Sequence, residues 1–264
     1  MVEPDMSNPQ EMTHLFRDAW KVMSSRFPTS FYVDEGGLAT CFADVPLFFL
    51  NLSIYDGEIP SAAEFERILT RASERAKRSQ HGWLYGVSSE LTAPGWESVA
   101  EAHGFATAMV LTGMVAPELT PATRPLPAVE FRAADSDQTY ADIANLNAAA
   151  YGVPAELFEC MANGLLWQSD SYACVAYVDG IPVSAAAAFP VNGTIYIALV
   201  ATSPEHRGKG YAEATFRKVV EQARKIMGPG KLTLHATEAG GRLYQEIGFE
   251  HIGKFTLLVA GGAH

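Results

Sequence analysis

The chain has 264 residues, which is enough for one large or two ordinary domains. Its residues are 48% hydrophobic and 19% charged, which excludes a disordered chain, and its net charge of −11 argues against a nucleic-acid-binding surface. Cys41, Cys160 and Cys174 lack the spacing of a metal site or disulfide framework, and no apolar run reaches the length of a membrane span. We therefore expect a cytoplasmic protein without a metal, a nucleic-acid partner or a membrane segment.

The first half of the chain alternates apolar runs with helical patterns. Strands are predicted at 39–42, 47–54, 83–87 and 108–116, and helices at 62–78 and 96–102. The connection ahead of the first helix contains Asp56 and Glu58. Because acidic side chains at a helix N-terminus oppose the binding of an anion, we expect no phosphate site in this half.

Proline and small residues cluster at 117–127, in the sequence PELTPATRPLP. This composition is typical of a linker or an extended arm. We predict domains at 1–120 and 128–264, joined by a linker at 121–127.

The second half has a regular order of elements. A first strand contains Val129 and Phe131, and Asp135 or Ser136 can cap the helix that follows. The strands predicted next are 172–177, 182–189, 194–202, 231–236 and 252–259, and the helices are 211–227 and 241–247. The pairs Asp179-Gly180 and Asn192-Gly193 are typical of two-residue hairpin turns.

A glycine-rich turn stands between the apolar strand at 194–202 and the next helix. It contains Arg207, Gly208, Lys209 and Gly210, and the helical pattern begins at Tyr211. Unpaired N–H groups and the helix dipole favour an anion there, and glycine lets the backbone approach it closely. The pattern indicates a phosphate-binding site; the alternative is a tight turn without a ligand.

Two other classes of phosphate site do not fit the residues. The chain has no G-x-x-x-x-G-K-[ST] run, and Glu213 stands where a dinucleotide-binding turn requires its third glycine.

Two motifs carry a family resemblance. The order Arg207-x-x-Gly210-x-Ala212 resembles the R/Q-x-x-G-x-G/A signature of the GCN5-related N-acetyltransferases (GNAT), and LYQEIGF at 243–249 is similar to their L-Y-x-x-x-G-F segment. The resemblance extends from about Ala128 to the C-terminus. It implies an α/β (α+β) fold with a mixed, mostly antiparallel sheet flanked by helices, acetyl-CoA or another acyl-CoA as the phosphorylated ligand, and an amine acceptor.

The first half repeats a strand–strand–helix–strand order. We therefore predict two such domains in tandem, of which the first has lost the cofactor site. The alternative is an unrelated α+β cap.

The resemblance also implies roles for single residues. The turn would hold the pyrophosphate, and the edge of Val200, Ala201 and Thr202 would bind the pantetheine arm as an added strand does. Tyr244 matches the tyrosine that acts as general acid for the leaving thiolate; the alternative is a core tyrosine. The implied cofactor residues are Val200, Ala201, Thr202, Arg207, Gly208, Lys209, Gly210, Tyr211 and Ala212.

The general base is the weakest point of the resemblance. Many relatives place a glutamate on the strand before the turn, whereas 195–199 contains no carboxylate. His235 has a suitable intrinsic pKa, although a single histidine on a strand is more often structural. Relatives also have an asparagine after this strand, where the present chain has Thr237 and Glu238; Arg242 could contact a phosphate instead or pair with Glu246.

The segment 151–167 stands where the family places its variable acceptor-binding helices. The substrate-binding candidates are Tyr151, Phe158, Trp167 and Tyr196. The predicted activity is transfer of an acetyl or acyl group from acetyl-CoA to a primary amine of a small molecule or peptide. The alternatives are a non-catalytic acyl-CoA-binding or sensor module and an acyltransferase with a hydroxyl acceptor, and exposed sheet edges are compatible with a homodimer.

Overall fold

The computed structural model describes residues 8–260. The helices of these residues are α1 (Pro9–Ser24), α2 (Ala62–Ala76), α3 (Trp96–Ala102), α4 (Asp137–Tyr151), α5 (Tyr211–Met227) and α6 (Glu238–Glu246). The strands are β1 (Phe31–Glu35), β2 (Leu38–Phe42), β3 (Asn51–Tyr55), β4 (Leu84–Ser88), β5 (Phe105–Ala116), β6 (Glu130–Ala133), β7 (Tyr172–Val178), β8 (Ile181–Val191), β9 (Thr194–Thr202), β10 (Leu232–Thr237) and β11 (Glu250–Ala260). The predicted α/β class with a mostly antiparallel sheet and flanking helices is confirmed.

Three predicted elements have the bounds that the sequence indicated, namely α3, α5 and β9. The predicted strand 47–54 is wrong in its first part, because Phe48–Leu50 is a 3-10 turn and the strand begins at Asn51. The side-chain amide of Asn51 donates to the carbonyls of Val45 and Gly82, both at 2.9 Å, and so holds the chain in this turn. The elements α1 and β1 were not predicted.

Packing divides the chain into two compact units. The first contains the residues up to Val115, His235–Tyr244 and the segment from Glu250. Its strands follow the order β1, β2, β3, β4, β11, β5. The β3–β4 pair is parallel, and the other neighbouring pairs are antiparallel. Strand β11 pairs with β4 on one edge and with β5 on the other.

Helix α1 supplies much of the apolar face that packs in this unit. Asn8 caps it by accepting from the N–H of Gln10 at 2.9 Å. Its buried apolar residues recur at the spacing of one helix face and are Met12, Leu15, Phe16, Ala19, Trp20 and Met23. The periodicity explains why these residues form an amphipathic helix.

The second unit contains the residues from Ala116 to Leu234 and Gln245–Phe249. Its strands follow the order β10, β9, β8, β7, β6, and only the β9–β10 pair is parallel. Strand β8 is buried along nearly its whole length, as expected for a strand covered on both faces. The turns Asp179-Gly180 and Asn192-Gly193 have positive φ at both residues, which confirms the two predicted hairpins.

The two units repeat one motif. In each, an antiparallel pair leads through a helix to a parallel neighbour, and each parallel ladder has three rungs: Leu52–Leu84 to Ile54–Gly86 in the first unit, and Ile195–Leu232 to Ile197–Leu234 in the second. The repetition is that of a tandem arrangement.

The predicted domains at 1–120 and 128–264, joined by a linker at 121–127, stay a prediction. No helix within residues 8–260 combines the length and the apolar character needed to cross a membrane.

Candidate active site

The glycine-rich turn opens directly into helix α5. Gly208 and Gly210 have φ of 75° and 84°, a left-handed conformation that favours glycine. Gly210 is the N-cap residue, and within the described chain no side chain caps this end of the helix. A Cβ built on Gly208 would meet no atom within 4 Å. The turn therefore leaves the backbone N–H groups at the start of α5 and the space beside Gly208 open to a ligand.

The cations of the turn have different environments. Arg207 donates from Nη2 to the carbonyl of Ala150 at 3.3 Å, which ties the turn to the end of α4. Lys209 is exposed and has no ion-pair partner among residues 8–260. Lys209 is thus available to an anion, whereas Arg207 is already engaged with a carbonyl.

Strand β9 is bulged just before the turn. The β8–β9 register shifts between Ala185–Ala201 and Ala187–Ala198, and Leu199 has a φ of 54°. A bulge bends a strand and takes backbone groups out of the ladder. On the other edge, the ladder with β10 ends at Ile197–Leu234, whereas β9 continues to Thr202.

Asn147 of α4 lies against this bulge. Its Nδ2 donates to Ile143 O at 2.9 Å and is 3.5 Å from Leu199 O. The residue is fully buried, and its Oδ1 has no hydrogen-bond partner among the described residues. Asn147 was not predicted; a polar residue at helical spacing from the apolar Ile143 and Ala144 is the signal that could have identified it.

Three of the four acceptor candidates take part in two aromatic pairs. Tyr151 stacks on Phe158 with ring centroids 6.4 Å apart, and Trp167 stacks on Phe189 at 6.3 Å. Phe189 is the β8 partner of Tyr196. Phe158 and Tyr196 are 1% and 2% exposed, so Tyr151 and Trp167 are the candidates that a ligand can reach.

His235 is surrounded by aromatic rings of the first unit. Its ring centroid lies 4.2 Å from that of Phe16 and 5.0 Å from that of Phe255. Burial lowers the pKa of His235 to about 3, because the charged imidazolium is disfavoured away from water. These surroundings favour a packed neutral imidazole, and the role of general base stays a prediction.

Tyr244 is also in the first unit and is 7% exposed. It follows Gly240 by one turn of α6, and a Cβ built on Gly240 would lie 3.0 Å from Tyr244 Cε2. The absence of a side chain at Gly240 therefore lets the phenol ring lie close to its own helix.

Within the described residues, no three His, Cys, Asp or Glu side chains come together as metal ligands would.

Comparison with known proteins is consistent with this geometry. The model of the acetyltransferase (GNAT) family matches residues 140–249, a segment that includes the bulge, the turn and α5. Residues 140–249 are a GNAT acetyltransferase domain. No curated protein matches the chain.

Solved structures extend the fold beyond the GNAT domain. A GCN5-related N-acetyltransferase from Kribbella flavida is similar with a TM-score of 0.70 and 20% identity, covering 96% of each chain. A functionally unknown conserved protein from Staphylococcus epidermidis ATCC 12228 has a TM-score of 0.65 and 16% identity, covering 88% of this chain and 94% of that one. A tandem GNAT protein from the clavulanic acid biosynthesis pathway has a TM-score of 0.55 and 14% identity, covering 96% of each chain. At these identities the likeness establishes the fold.

The GNAT domain departs from its family at one catalytic position. The strand that ends in the bulge has no carboxylate, as its sequence TIYIALVAT shows. This domain therefore lacks, on β9, the glutamate that the resemblance implies as general base.

Proposed function

We propose that the protein transfers an acyl group, most simply acetyl, from acyl-CoA to a primary amine of a small molecule or peptide. The main support for this proposal is that the bulged end of β9 leads into the open turn at Gly208 and Gly210. Both lie inside the segment that the GNAT model matches. Such a strand edge can bind an amide-containing chain by added backbone hydrogen bonds, and such a turn can bind its phosphates.

The residues present fit CoA. The phosphate groups need backbone donors and cations, which the start of α5 and Lys209 offer. The pantetheine arm needs a free strand edge, which Val200, Ala201 and Thr202 offer where the ladder with β10 has ended. Acetyl-CoA supplies the activated acyl group when it is bound.

Tyr244 is the proposed proton donor. A phenol can give the proton of Oη to a departing thiolate and regain it from solvent. His235 is the candidate base, but its lowered pKa makes it a weak proton acceptor at neutral pH. A chain of water molecules to solvent can take the proton from the amine in its place.

The acceptor has to reach the aromatic side chains of Tyr151, which is exposed, and Trp167, which is partly buried. Flat apolar rings of this kind favour an acceptor with an apolar or aromatic part near its amine. A cytoplasmic location and a homodimer stay predictions.

The test is thiol release from acetyl-CoA in the presence of panels of primary amines, with acylated product detected by mass spectrometry. We expect amine-dependent thiol release by the wild type and loss of it in Lys209→Glu combined with Gly208→Glu, which places two negative charges at the turn. The control is the thiol release by the double variant in the absence of amine, which measures the background hydrolysis of acetyl-CoA. Absence of any acylated product across peptide and small-molecule amines would contradict the proposal.

A specific observation favours a second function, a non-catalytic acyl-CoA-binding or sensor module. Strand β9 has no carboxylate to take the proton of the amine, and burial lowers the pKa of the candidate base His235 to about 3. Tight acetyl-CoA binding without turnover on any amine would support this second function over the first.

A further inference from the structure

The arm of residues 117–127 is tied down at its start. Glu118 forms an ion pair with Arg224 near the end of α5, with 2.6 Å between Oε2 and Nη1. Thr120 donates from its N–H to Ile247 O at 3.0 Å and from Oγ1 to Glu246 O at 3.2 Å. The arm is therefore a fixed part of the second unit at Glu118 and Thr120.

The end of the arm lies at the other end of the same helix. A Cβ built on Gly210 would lie 3.3 Å from Pro127 Cδ and 4.0 Å from Arg124 Nη2. The helix from Gly210 to Arg224 is about 21 Å long at 1.5 Å per residue. An extended chain of nine residues reaches up to about 30 Å, so the arm can follow α5 from its last turn to its first.

Arg124 therefore lies at the glycine-rich turn without belonging to it. Its side chain is exposed, and it has no hydrogen-bond or ion-pair partner among residues 8–260. A guanidinium without a carboxylate, in a chain with a net charge of −11, is placed beside backbone donors that favour an anion. Guanidinium groups bind phosphate through two parallel charge-assisted hydrogen bonds.

We infer that Arg124 is a further binding residue for the phosphate groups of the acyl-CoA, delivered to the turn by the arm. The inference rests on the proposed function. The turn supplies backbone N–H groups to the phosphate, and Arg124 supplies an exposed charge from outside the GNAT motif. The tethers at Glu118 and Thr120 hold the arm so that this charge stays near the turn.

The experiment is calorimetric titration of CoA, 3′-dephospho-CoA and pantetheine into the full chain and its variants. Arg124→Gln should weaken CoA binding roughly tenfold, the value of one hydrogen bond between charged groups. Pantetheine, which has no phosphate, should bind equally to wild type and variant. Arg124→Lys, which keeps the charge, should recover part of the affinity.

The matched control is Arg67→Gln, which removes the same charge from an exposed residue of α2. The loss caused by Arg124→Gln should also shrink at high salt, because salt screens exposed charges. A loss for CoA but not for 3′-dephospho-CoA assigns the contact to the 3′-phosphate, and a loss for both assigns it to the pyrophosphate; either supports the inference.

Two outcomes overturn it, and they are distinguishable. If the wild type binds CoA and Arg124→Gln binds it as Arg67→Gln does, the inference fails while the proposed function stands. If the wild type binds no CoA, the proposed function fails and the inference fails with it. Thermal unfolding of each variant checks that the fold is retained.

Discussion

Gly208 and Gly210 have similar backbone conformations and different surroundings. Both have positive φ, so any side chain strains the backbone at either position. Only at Gly210 would a Cβ also press on Pro127, at 3.3 Å. A side chain at Gly210 would thus meet the arm as well as strain the turn.

These two glycines make a matched pair of substitutions. Gly208→Ala should lower the free energy of unfolding by about 1 kcal/mol, the cost of the left-handed conformation. Gly210→Ala should lower it by roughly 2 kcal/mol, because the contact with Pro127 is added. Urea unfolding measures both, and equal losses would show that the arm does not constrain the turn.

Tyr244→Phe separates a catalytic from a structural tyrosine. The ring and its packing beside Gly240 remain, and only the proton donor is removed. We expect at least roughly tenfold slower turnover with nearly unchanged affinity for acetyl-CoA, since general acid catalysis contributes about 10² to 10⁴-fold. Tyr140→Phe, in the same GNAT domain, is the control. A variant with wild-type turnover and about 1 kcal/mol less stability would make Tyr244 a core residue.

His235 should make the protein sensitive to acid. Its pKa is about 3 in the folded chain, against an ordinary histidine pKa of 6.5, so the unfolded chain takes up a proton at a pH where the folded chain does not. Stability is therefore fully present above about pH 6.5 and is lost as the pH falls toward 3. The loss between pH 6.5 and pH 5 is on the order of 2 kcal/mol.

The measurement is urea unfolding of wild type and His235→Phe at both pH values. The phenylalanine variant should lose less stability between them, because an aromatic ring without a titrating group replaces the imidazole among Phe16 and Phe255. An equal pH dependence in the two proteins would show that the imidazole is not protected from protonation.

At the scale of elements, local signals predicted much of the fold. The pairs Asp179-Gly180 and Asn192-Gly193 fixed two hairpins, because positive φ at both positions is a property of those residues themselves. The apolar spacing of α1 was equally local and could have been recognised from Met12 to Met23. The bulge at Leu199 could not have been recognised from the sequence. Leucine does not favour a positive φ, and the surrounding packing imposes this conformation on Leu199.

The position of β11 in the sheet could not be predicted from a local sequence pattern. Its alternation indicates a strand, but its partners are β4 and β5, separated from it by more than a hundred residues of sequence. Pairing over such distances is decided by the complete fold. The position of Arg124 escaped prediction for the same reason, because a linker composition does not say what the linker lies against.

The first unit should therefore need β11 to fold. Residues 8–116 alone would leave the facing edges of β4 and β5 unpaired and their apolar faces uncovered. We expect this fragment to show no cooperative unfolding by circular dichroism.

The complementary chain joins Ala116 to Glu250 through a short glycine-containing turn and ends at Ala260. Since β5 and β11 are antiparallel and Val115 is paired with Glu250, such a turn makes them a simple hairpin. We expect this chain to unfold cooperatively. Cooperative unfolding of the fragment that lacks β11 would contradict the argument.

At the scale of the whole molecule, the two similar units differ at the strand and the connection that lead into the helix. The second has the bulge and the glycine-rich turn. In the first, the β2–β3 register is continuous, and Asp56 at the corresponding connection is paired with Arg17. Ser61 also caps α2, accepting from the N–H of Glu64 at 3.2 Å. The place that a phosphate would take is filled by the chain's own charges and caps.

Acetyl-CoA should accordingly bind once per chain. Calorimetry is expected to give a stoichiometry of about one, and Gly208→Glu should abolish that single site. A stoichiometry near two, or a residual site in Gly208→Glu, would show that the first unit also binds the cofactor.

The insertion of β11 also affects the order in which the protein can be made. The first half leaves the ribosome first, yet β11, which pairs with its strands β4 and β5, is synthesised more than a hundred residues later. At about 5–20 residues per second, the interval between the completion of β5 and that of β11 is on the order of 10 s. During that time the edges of β4 and β5 that pair with β11 are exposed. The half that is made first is therefore the half that most needs chaperones to protect it from aggregation.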